Sequence, residues 1–234
     1  MTPPYPLIDA PSGQVDYQDI ANTCWIDMAI VHNTFLRGMN SIYEKAPHVQ
    51  PADEIAFAGY CLCAVASIHV HHKGEEQIMF PHLSKRLDMS HNIHEHEEFT
   101  KGLNVFQEYM QSVFDRTEKY DAEKTRQLLR GFGDLLAQHL HDEIPTVMPD
   151  QLRKFEKGEL EAMMKEHGDY VKKDPALFTV FPWTLSHHNA LEMPYWPPLP
   201  GPLKWFARTF SGLRYPSYWK FSPYDLKGNA KHYP

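Results

Sequence analysis

Two parts of the sequence repeat the same order of polar residues. Each part begins with the pattern H-x-x-F-x-[RK]-G-[ML], read as HNTFLRGM and then as HEEFTKGL. Each continues with H-x-x-x-E, in which a proline stands six residues after the glutamate. The motif positions in chain order are His32, His71 with Glu75, His96, and His139 with Glu143. An ordered pair of motifs that occurs twice predicts two equivalent halves of one fold.

Apolar residues recur at helical spacing in the four stretches that carry these motifs. The stretches cover residues 16–46, 52–87, 92–116 and 121–155, and prolines are sparse within them. Apolar positions spaced three and four apart indicate amphipathic helices. Four long helices with short links most simply form an up-down-up-down antiparallel bundle. We therefore predict an all-α fold, with the four-helix bundle in residues 15–156.

The positions of the histidines fit such a bundle. In an antiparallel hairpin, residues at equal height are equidistant from the turn. The midpoint between His32 and His71 falls between residues 51 and 52, and the midpoint between His96 and His139 falls in the polar stretch DRTEKYD. Both pairs are therefore expected to meet at one level of the bundle.

The residue types at this level favour a metal site. Helix positions i and i+4 lie on one face about 5–6 Å apart, so each H-x-x-x-E pair can offer a nitrogen and a carboxylate. Imidazole suits iron and zinc, and inward-facing histidines and carboxylates hold paired metals in helix bundles. The predicted ligands are His32, His71, Glu75, His96, His139 and Glu143. In the alternative, these six groups hydrogen-bond to one another without a metal.

The pattern H-x-x-x-E also occurs one residue later, at His72 and Glu76. We favour His71 and Glu75, because their offset to Pro81 matches the offset in the second half. In this register we expect His72 to lie behind the ligands or at the surface.

Composition excludes several other classes of protein. The net charge of −7 disfavours a nucleic-acid partner or an anionic membrane surface. Three cysteines do not form a disulfide framework and are expected to be buried thiols. Neither a signal peptide nor a membrane span is evident in the sequence. We therefore expect a cytoplasmic protein, either a monomer or a homodimer.

Residues 157–234 differ from the rest of the chain because they are rich in proline and tryptophan. We expect a largely irregular C-terminal extension that wraps the bundle, with short helices near 159–168 and 202–210. His187, His188 and Glu192 lie in this extension. They either reach the open end of the metal site or pack and hydrogen-bond around Trp183 and Trp196, and we favour the second interpretation.

The motifs resemble those of a known family. The stretch HHKGEEQIMFP resembles the H-x-x-x-E-E-x-x-x-F-P signature of hemerythrin-like, or HHE cation-binding, domains. EHEEF resembles their third-helix motif, and H-x-x-x-E at His139 their fourth. The resemblance covers roughly residues 20–150, and the extension is similar to those of hemerythrin-like proteins from filamentous fungi. The resemblance implies a hemerythrin-like bundle in which the six predicted residues bind two oxo- or hydroxo-bridged iron ions, with both glutamates bridging.

Two positions depart from the oxygen-carrying hemerythrins. Those proteins have a second histidine four residues after the third-helix histidine, where this chain has Thr100. They also end in H-x4-D, where this chain has Ile144. The resemblance then implies that one iron has fewer histidine ligands, with a position left open or filled by water, Tyr60 or a residue of the extension. Simple reversible oxygen carriage is not expected.

These observations lead to two functional hypotheses. The first is a non-haem diiron protein that binds or reduces dioxygen, peroxide or nitric oxide, and the aromatic extension leaves room for an oxidase or oxygenase with an organic substrate. The second is an iron-sensing or iron-holding module without turnover. The sequence does not decide whether the protein is an enzyme.

Overall fold

The computed structural model describes residues 4–9, 16–173, 178–194, 196–197 and 201–231. Over these residues the protein is helical, with one isolated antiparallel bridge between Tyr224 and Ala230. The all-α prediction is therefore confirmed for this part of the chain. The four long helices are α1 (Ile20–Lys45), α2 (Glu54–Gly74), α3 (Ser90–Phe114) and α4 (Ala122–Asp142).

Local signals explain where the first and fourth helices begin. Asp19 accepts a hydrogen bond from the Ala21 N–H at 3.0 Å, and Asp121 accepts one from the Lys124 N–H at 2.9 Å. Side-chain acceptors at these positions satisfy amide groups that have no partner within the helix. The predicted helix start at residue 121 is therefore close to the observed one.

The predicted end of the fourth helix at residue 155 is wrong. Helix α4 ends at Asp142 and is followed by a 3-10 turn, Ile144–Val147, and a short helix, Pro149–Leu152. Both of these segments carry a proline near their start, and proline lacks the N–H that would continue the ladder of α-helical hydrogen bonds.

Helix α2 runs directly into a π-helical turn, Glu75–Met79, and then into Phe80–Leu83. In the π-turn the Phe80 N–H bonds to the Glu75 carbonyl, and such turns occur frequently at functional sites. The continuous helix Pro51–Leu83 is long and apolar enough to cross a membrane by length and composition alone. However, 67% of its apolar window is buried inside the protein, as in the core helix of a bundle.

Large apolar side chains from the four helices form one buried core. It includes Leu36 of α1, Phe57 of α2, Phe106 of α3 and Leu136 of α4, each of them inaccessible to solvent. Burial of such a side chain contributes about 1.5–3 kcal/mol to folding. Helix α3 packs against α2 and α4, and α1 packs against the same two helices. Cys24, Cys61 and Cys63 are buried free thiols, as predicted.

The extension contributes to the same core. It contains the helices α5 (Lys157–Lys173), α6 (Val180–Ser186) and α7 (Gly201–Phe210). Two of these were predicted with shorter bounds, whereas α6 was missed because it begins VFPW within a Pro-rich stretch. Trp183, Trp219 and Phe221 are buried among side chains of the four long helices. The boundary at residue 156 stays a prediction.

Gly38 of α1 allows the extension to pack closely against the bundle. A Cβ atom at Gly38 would overlap the indole of Trp183, so the absence of a side chain lets α6 lie directly against the bundle. Gly59 of α2 has the same relation to the ring of Tyr218. The extension is thus fitted against small residues of two different bundle helices.

Candidate metal centre

All six predicted ligands lie together inside the bundle, and a seventh residue lies with them. The side chains form two groups, each with ligand atoms within 4.8 Å of one another. The first group is His32, His71, Glu75 and Glu143, and the second is His72, Glu75, His96 and His139. Every one of these residues is buried, and Glu75 belongs to both groups.

The two glutamates lie between the groups. The distances are 2.9 Å from His71 Nε2 to Glu75 Oε1, 3.7 Å from His96 Nε2 to Glu75 Oε2, 3.3 Å from His32 Nε2 to Glu143 Oε2, and 3.7 Å from His139 Nε2 to the same Glu143 oxygen. Each carboxylate therefore faces histidines of both groups. Carboxylates in that position can bridge two cations.

Seven buried atoms of the cluster have no hydrogen-bond partner. They are Nε2 of His32, His71 and His72, and both carboxylate oxygens of Glu75 and Glu143. A buried polar atom without a partner costs about 1–3 kcal/mol. A fold that left all seven unsatisfied would be strongly destabilised, so the cluster matches a site that binds cations.

The outer ring nitrogens, in contrast, are satisfied. Four histidines place Nδ1 against a protein acceptor, which leaves Nε2 with its lone pair directed into the cluster. The pairs are His32 with the Leu140 carbonyl at 2.8 Å, His72 with the Ile68 carbonyl at 2.8 Å, His96 with Glu76 at 2.9 Å and His139 with Glu95 at 3.0 Å. These contacts fix ring orientation and raise the basicity of the inner nitrogen.

The pair His96 and His139 has an arrangement that a bound cation would stabilise. Their Nε2 atoms lie 3.1 Å apart, yet each ring already donates its Nδ1 proton to a carboxylate. In that tautomer the two Nε2 lone pairs are directed toward each other. A cation between the nitrogens removes this repulsion.

The protonation states of the cluster are also set by burial. Burial, together with the neighbouring histidines, holds the pKa of His71 and of His72 well below 6.5, so both rings are neutral. Burial and the charges of Glu143 and Glu76 raise the pKa of Glu75 well above 4.5. The pKa of Glu143 is lowered, because its interactions with His32, His139 and His96 outweigh the opposing effect of burial. His71 and His72 therefore bring no positive charge to the cluster, and Glu75 ionises less readily than an exposed glutamate.

His72 is the member of the cluster that the sequence analysis left out. We treated His71 and His72 as alternatives, but the structure buries both rings and assigns them to different groups. Of the two positions expected for His72, behind the ligands or at the surface, burial excludes the surface. The signal was present, since Glu75 is three residues from one histidine and four from the other, and both spacings lie on one side of a helix.

His72 also bears on the expected shortage of histidines. The second group contains three histidines, although Thr100 replaces the one expected on α3. Glu76, the carboxylate of the other register, is half exposed and accepts from His96 Nδ1 instead. The structure thus supplies the third imidazole from α2.

Tyr60 and the histidines of the extension lie among other partners. The Tyr60 hydroxyl is 2.8 Å from His187 Nε2, and the His187 ring stacks on Trp183 at 3.7 Å between centroids. His188 bonds the Met193 carbonyl, and Glu192 pairs with Arg37. These residues pack and hydrogen-bond, as favoured from the sequence.

A third group of candidate ligands lies at the edge of the cluster. It consists of His91, Glu95 and Asp142, and two of its members are exposed. Glu95 accepts the Nδ1 proton of His139, and its pKa is lowered because that histidine outweighs the opposing effect of burial. Because Glu95 hydrogen-bonds to the outer nitrogen of His139, its place beside His91 and Asp142 needs no separate ion.

The fold and the site define a class: a helical protein with adjoining buried histidine and glutamate groups that can hold metal. A family model, the hemerythrin HHE cation-binding domain, matches residues 28–150. The chain belongs to this family, as its motifs predicted. It is also 28% identical over 243 residues to "Dimeric xanthone biosynthesis cluster protein R11" of Cryptosporiopsis sp. (strain 8999), a match that covers 97% of this chain and 89% of that protein. No solved structure gives a significant match.

Proposed function

We propose that the protein is a non-haem diiron protein that binds or reduces a small oxidant. The observation that carries this proposal is the set of seven buried, unpartnered nitrogen and oxygen atoms that face one another in two adjoining groups. Two groups that share one glutamate fit two metal ions better than one. Histidine and carboxylate donors together suit iron.

In this proposal the first iron is held by His32 and His71, and the second by His72, His96 and His139. Glu75 and Glu143 would help to hold both ions, since each carboxylate faces histidines of both groups. We also propose that the four long helices run up-down-up-down. The short connections between them support this topology, because two packed helices joined by a few residues run antiparallel.

The chain's own residues prepare the site for this chemistry. When bound, a ferrous pair supplies two electrons and a coordination position for dioxygen, peroxide or nitric oxide. Glu76 and Glu95 hold the inner rings of His96 and His139 in the tautomer that ligates a metal. Phe35, Phe80 and Phe99 pack with tilted rings against histidines of the cluster and exclude water from it.

Burial favours a small ligand over a large one. His71 is 9% exposed and is the most accessible of the seven residues, whereas His32, Glu75, His139 and Glu143 are 0% exposed. A diatomic molecule or peroxide can reach such a site with little movement. An organic substrate would need a larger opening, so we place any oxidation of an organic molecule second to reaction with the oxidant itself.

Metal analysis and spectroscopy test the proposal. Protein expressed with iron should contain two irons per chain, and the loaded protein should develop a charge-transfer absorption band with oxygen, peroxide or nitric oxide. The matched variants Glu75→Gln and Glu98→Gln differ in whether the carboxylate lies inside the cluster, since Glu98 is exposed and belongs to neither group. Loss of iron in the first variant alone supports the assignment. One zinc per chain, or no spectral change and no consumption of any oxidant, would reject it.

The second candidate is an iron-sensing or iron-holding module. It is favoured by the ligands' origin on four separate helices, since metal binding then stabilises the packing of all four. Hydrogen exchange with and without iron separates the candidates. Sensing predicts a large loss of protection across α1 to α4 in the metal-free form, whereas a preformed site predicts little loss. The biosynthesis cluster in the name of protein R11 favours turnover for this chain.

A further inference from the structure

A further histidine of the extension, His167, lies beside the metal cluster. It belongs to α5, which packs against α1, α2 and the π-helical turn Glu75–Met79. Its Nε2 atom is buried and has no hydrogen-bond partner among the described residues. The two histidines that lie against Trp183 and Trp196 are in a different part of the extension. His167, in contrast, meets the helix that carries His71.

Gly74 of α2 allows the ring of His167 to lie against the backbone of that helix. A Cβ atom at Gly74 would be 2.7 Å from His167 Nε2 and 3.0 Å from its Cδ2, so a larger residue would push the ring away. The Cδ1 atom of Tyr170, one turn further along α5, lies 3.6 Å from the same point. The unpartnered nitrogen is therefore held directly at α2, next to the residue that precedes Glu75.

The direction of Gly74 on α2 places His167 next to the first group of ligands. Successive residues of a helix point about 100° apart. His72 of the second group therefore points about 100° to one side of His71, whereas Gly74 points about 60° to the other side. Burial and then the charges of His32 and His167 lower the pKa of His71, which agrees with this position. His167 thus borders the first group on the side that faces away from the second.

The first group is the one with fewer imidazoles. It contains two histidines, whereas the second group contains three, and its four members do not include His167. If each group holds one iron, the first iron has the free coordination position, so an added ligand binds there. His71 of this group is also the most accessible residue of the cluster, at 9% exposure. A small molecule therefore arrives on the side where His167 lies.

We propose that His167 Nε2 hydrogen-bonds to the small ligand that binds the first iron, and that it sets the affinity of the site for anionic ligands. This inference rests on the proposed diiron function. Burial lowers the pKa of His167, so the ring is neutral and carries one proton. An anionic ligand selects the tautomer in which that proton is on Nε2. Hydrogen bonds to charged acceptors are the stronger ones, so the contact favours ligands with negative charge on the atom that faces α5.

Azide titration of the iron-loaded, oxidised full-length chain tests the proposal. The charge-transfer band of bound azide measures affinity, and elemental analysis counts the iron in each variant. His167→Leu keeps an apolar side chain but has no donor, so the Kd for azide should rise about tenfold or more while both irons are retained. His167→Gln returns an N–H at a similar reach and should recover part of the affinity.

Glu166→Gln is the matched control for α5. Glu166 is the neighbour of His167 and is exposed, and its carboxylate lies 3.1 Å from His82 Nε2. The change weakens an ion pair of α5 without altering the contact at Gly74. It should therefore leave the azide affinity unchanged.

The outcomes separate this inference from the diiron proposal. If the parent chain holds two irons and His167→Leu binds azide as tightly as the parent does, His167 has no such role and the diiron assignment stands. An equal loss of affinity in Glu166→Gln, loss of iron from His167→Leu, or a diiron parent chain that binds no azide would each overturn the role of His167 in the same way. A parent chain without iron would overturn both.

Discussion

Replacement of His72 by leucine should have opposite effects on the metal-free and the iron-loaded protein. In the metal-free form, His72 buries an Nε2 atom that has no partner, at a cost of about 1–3 kcal/mol. Leucine removes that atom and fills similar space beside Phe99, whose ring lies 4.8 Å from the imidazole. The free energy of unfolding should therefore rise by about 1–3 kcal/mol, and each 1 kcal/mol corresponds to about 2–4 °C in Tm for a chain of this size.

With iron, the same variant loses one donor of the second group. Changes to the shell around metal ligands cost about 10–100-fold in metal affinity, and loss of a ligand should cost at least as much. That range corresponds to about 1.4–2.8 kcal/mol of lost stabilisation by the metal. The difference in Tm between loaded and metal-free protein should thus shrink markedly in the variant.

Thermal unfolding, followed by circular dichroism with iron and with chelator, measures both effects, and elemental analysis counts the bound iron. His69→Leu is the matched control, because His69 lies on the same helix, is partly exposed and belongs to neither group. If His72→Leu destabilises both forms equally, His72 contributes only packing. If it retains two irons and the full increase in Tm, His72 is not a ligand.

Three further predictions concern other parts of the structure. Glu75→Gln should lose bound iron, whereas Glu98→Gln, at an exposed position outside both groups, should retain it, as counted by elemental analysis. Burial lowers the pKa of His187 from 6.5 to about 3, so its contribution to stability is complete above pH 6.5 and is lost as the pH falls toward 3. At pH 5 this histidine alone lowers the free energy of unfolding by about 2 kcal/mol relative to pH 7. The variant His187→Gln should not show this loss when urea melts at pH 7 and pH 5 are compared. Gly38→Ala should destabilise the protein by about 2 kcal/mol or more, because the new methyl group overlaps the buried indole of Trp183. Gly131→Ala places its methyl group where nothing lies within 4 Å, so it should stabilise the protein by about 0.5–1 kcal/mol.

Sequence periodicity located the helices well where the core is regular. Each of the four predicted stretches contains one long helix, because apolar residues at helical spacing bury one continuous stripe. The error at the end of α4 arose because the motif proline at position 149 was read as part of the helix. In the structure it begins a new short helix after a 3-10 turn. Helix α6 could not be found from pattern alone, since Trp183 is held by tertiary contacts with Gly38 and Tyr60.

The candidate site was largely predictable because its residues repeat along the chain. The order of the motifs and the distances between histidines and turns require only the geometry of a hairpin, and the structure brings all six residues together. The contacts behind the site were not predictable in the same way. Glu76 and Glu95 were two of several acidic residues near histidines, and only the packing of α2, α3 and α4 shows which ring each one meets.

His72 escaped prediction because each motif was assumed to supply one histidine. Adjacent helical residues differ by about 100° in direction, so one of two neighbouring histidines is normally expected to face away from a site. That expectation holds for a single ion but not for a site with two adjoining groups, one on each side of Glu75. Rings that leave the helix in different directions can then meet different groups while sharing one carboxylate. A chain with His-His before the glutamate on α2 therefore does not need a second histidine on α3, and Thr100 at that position follows from the same arrangement.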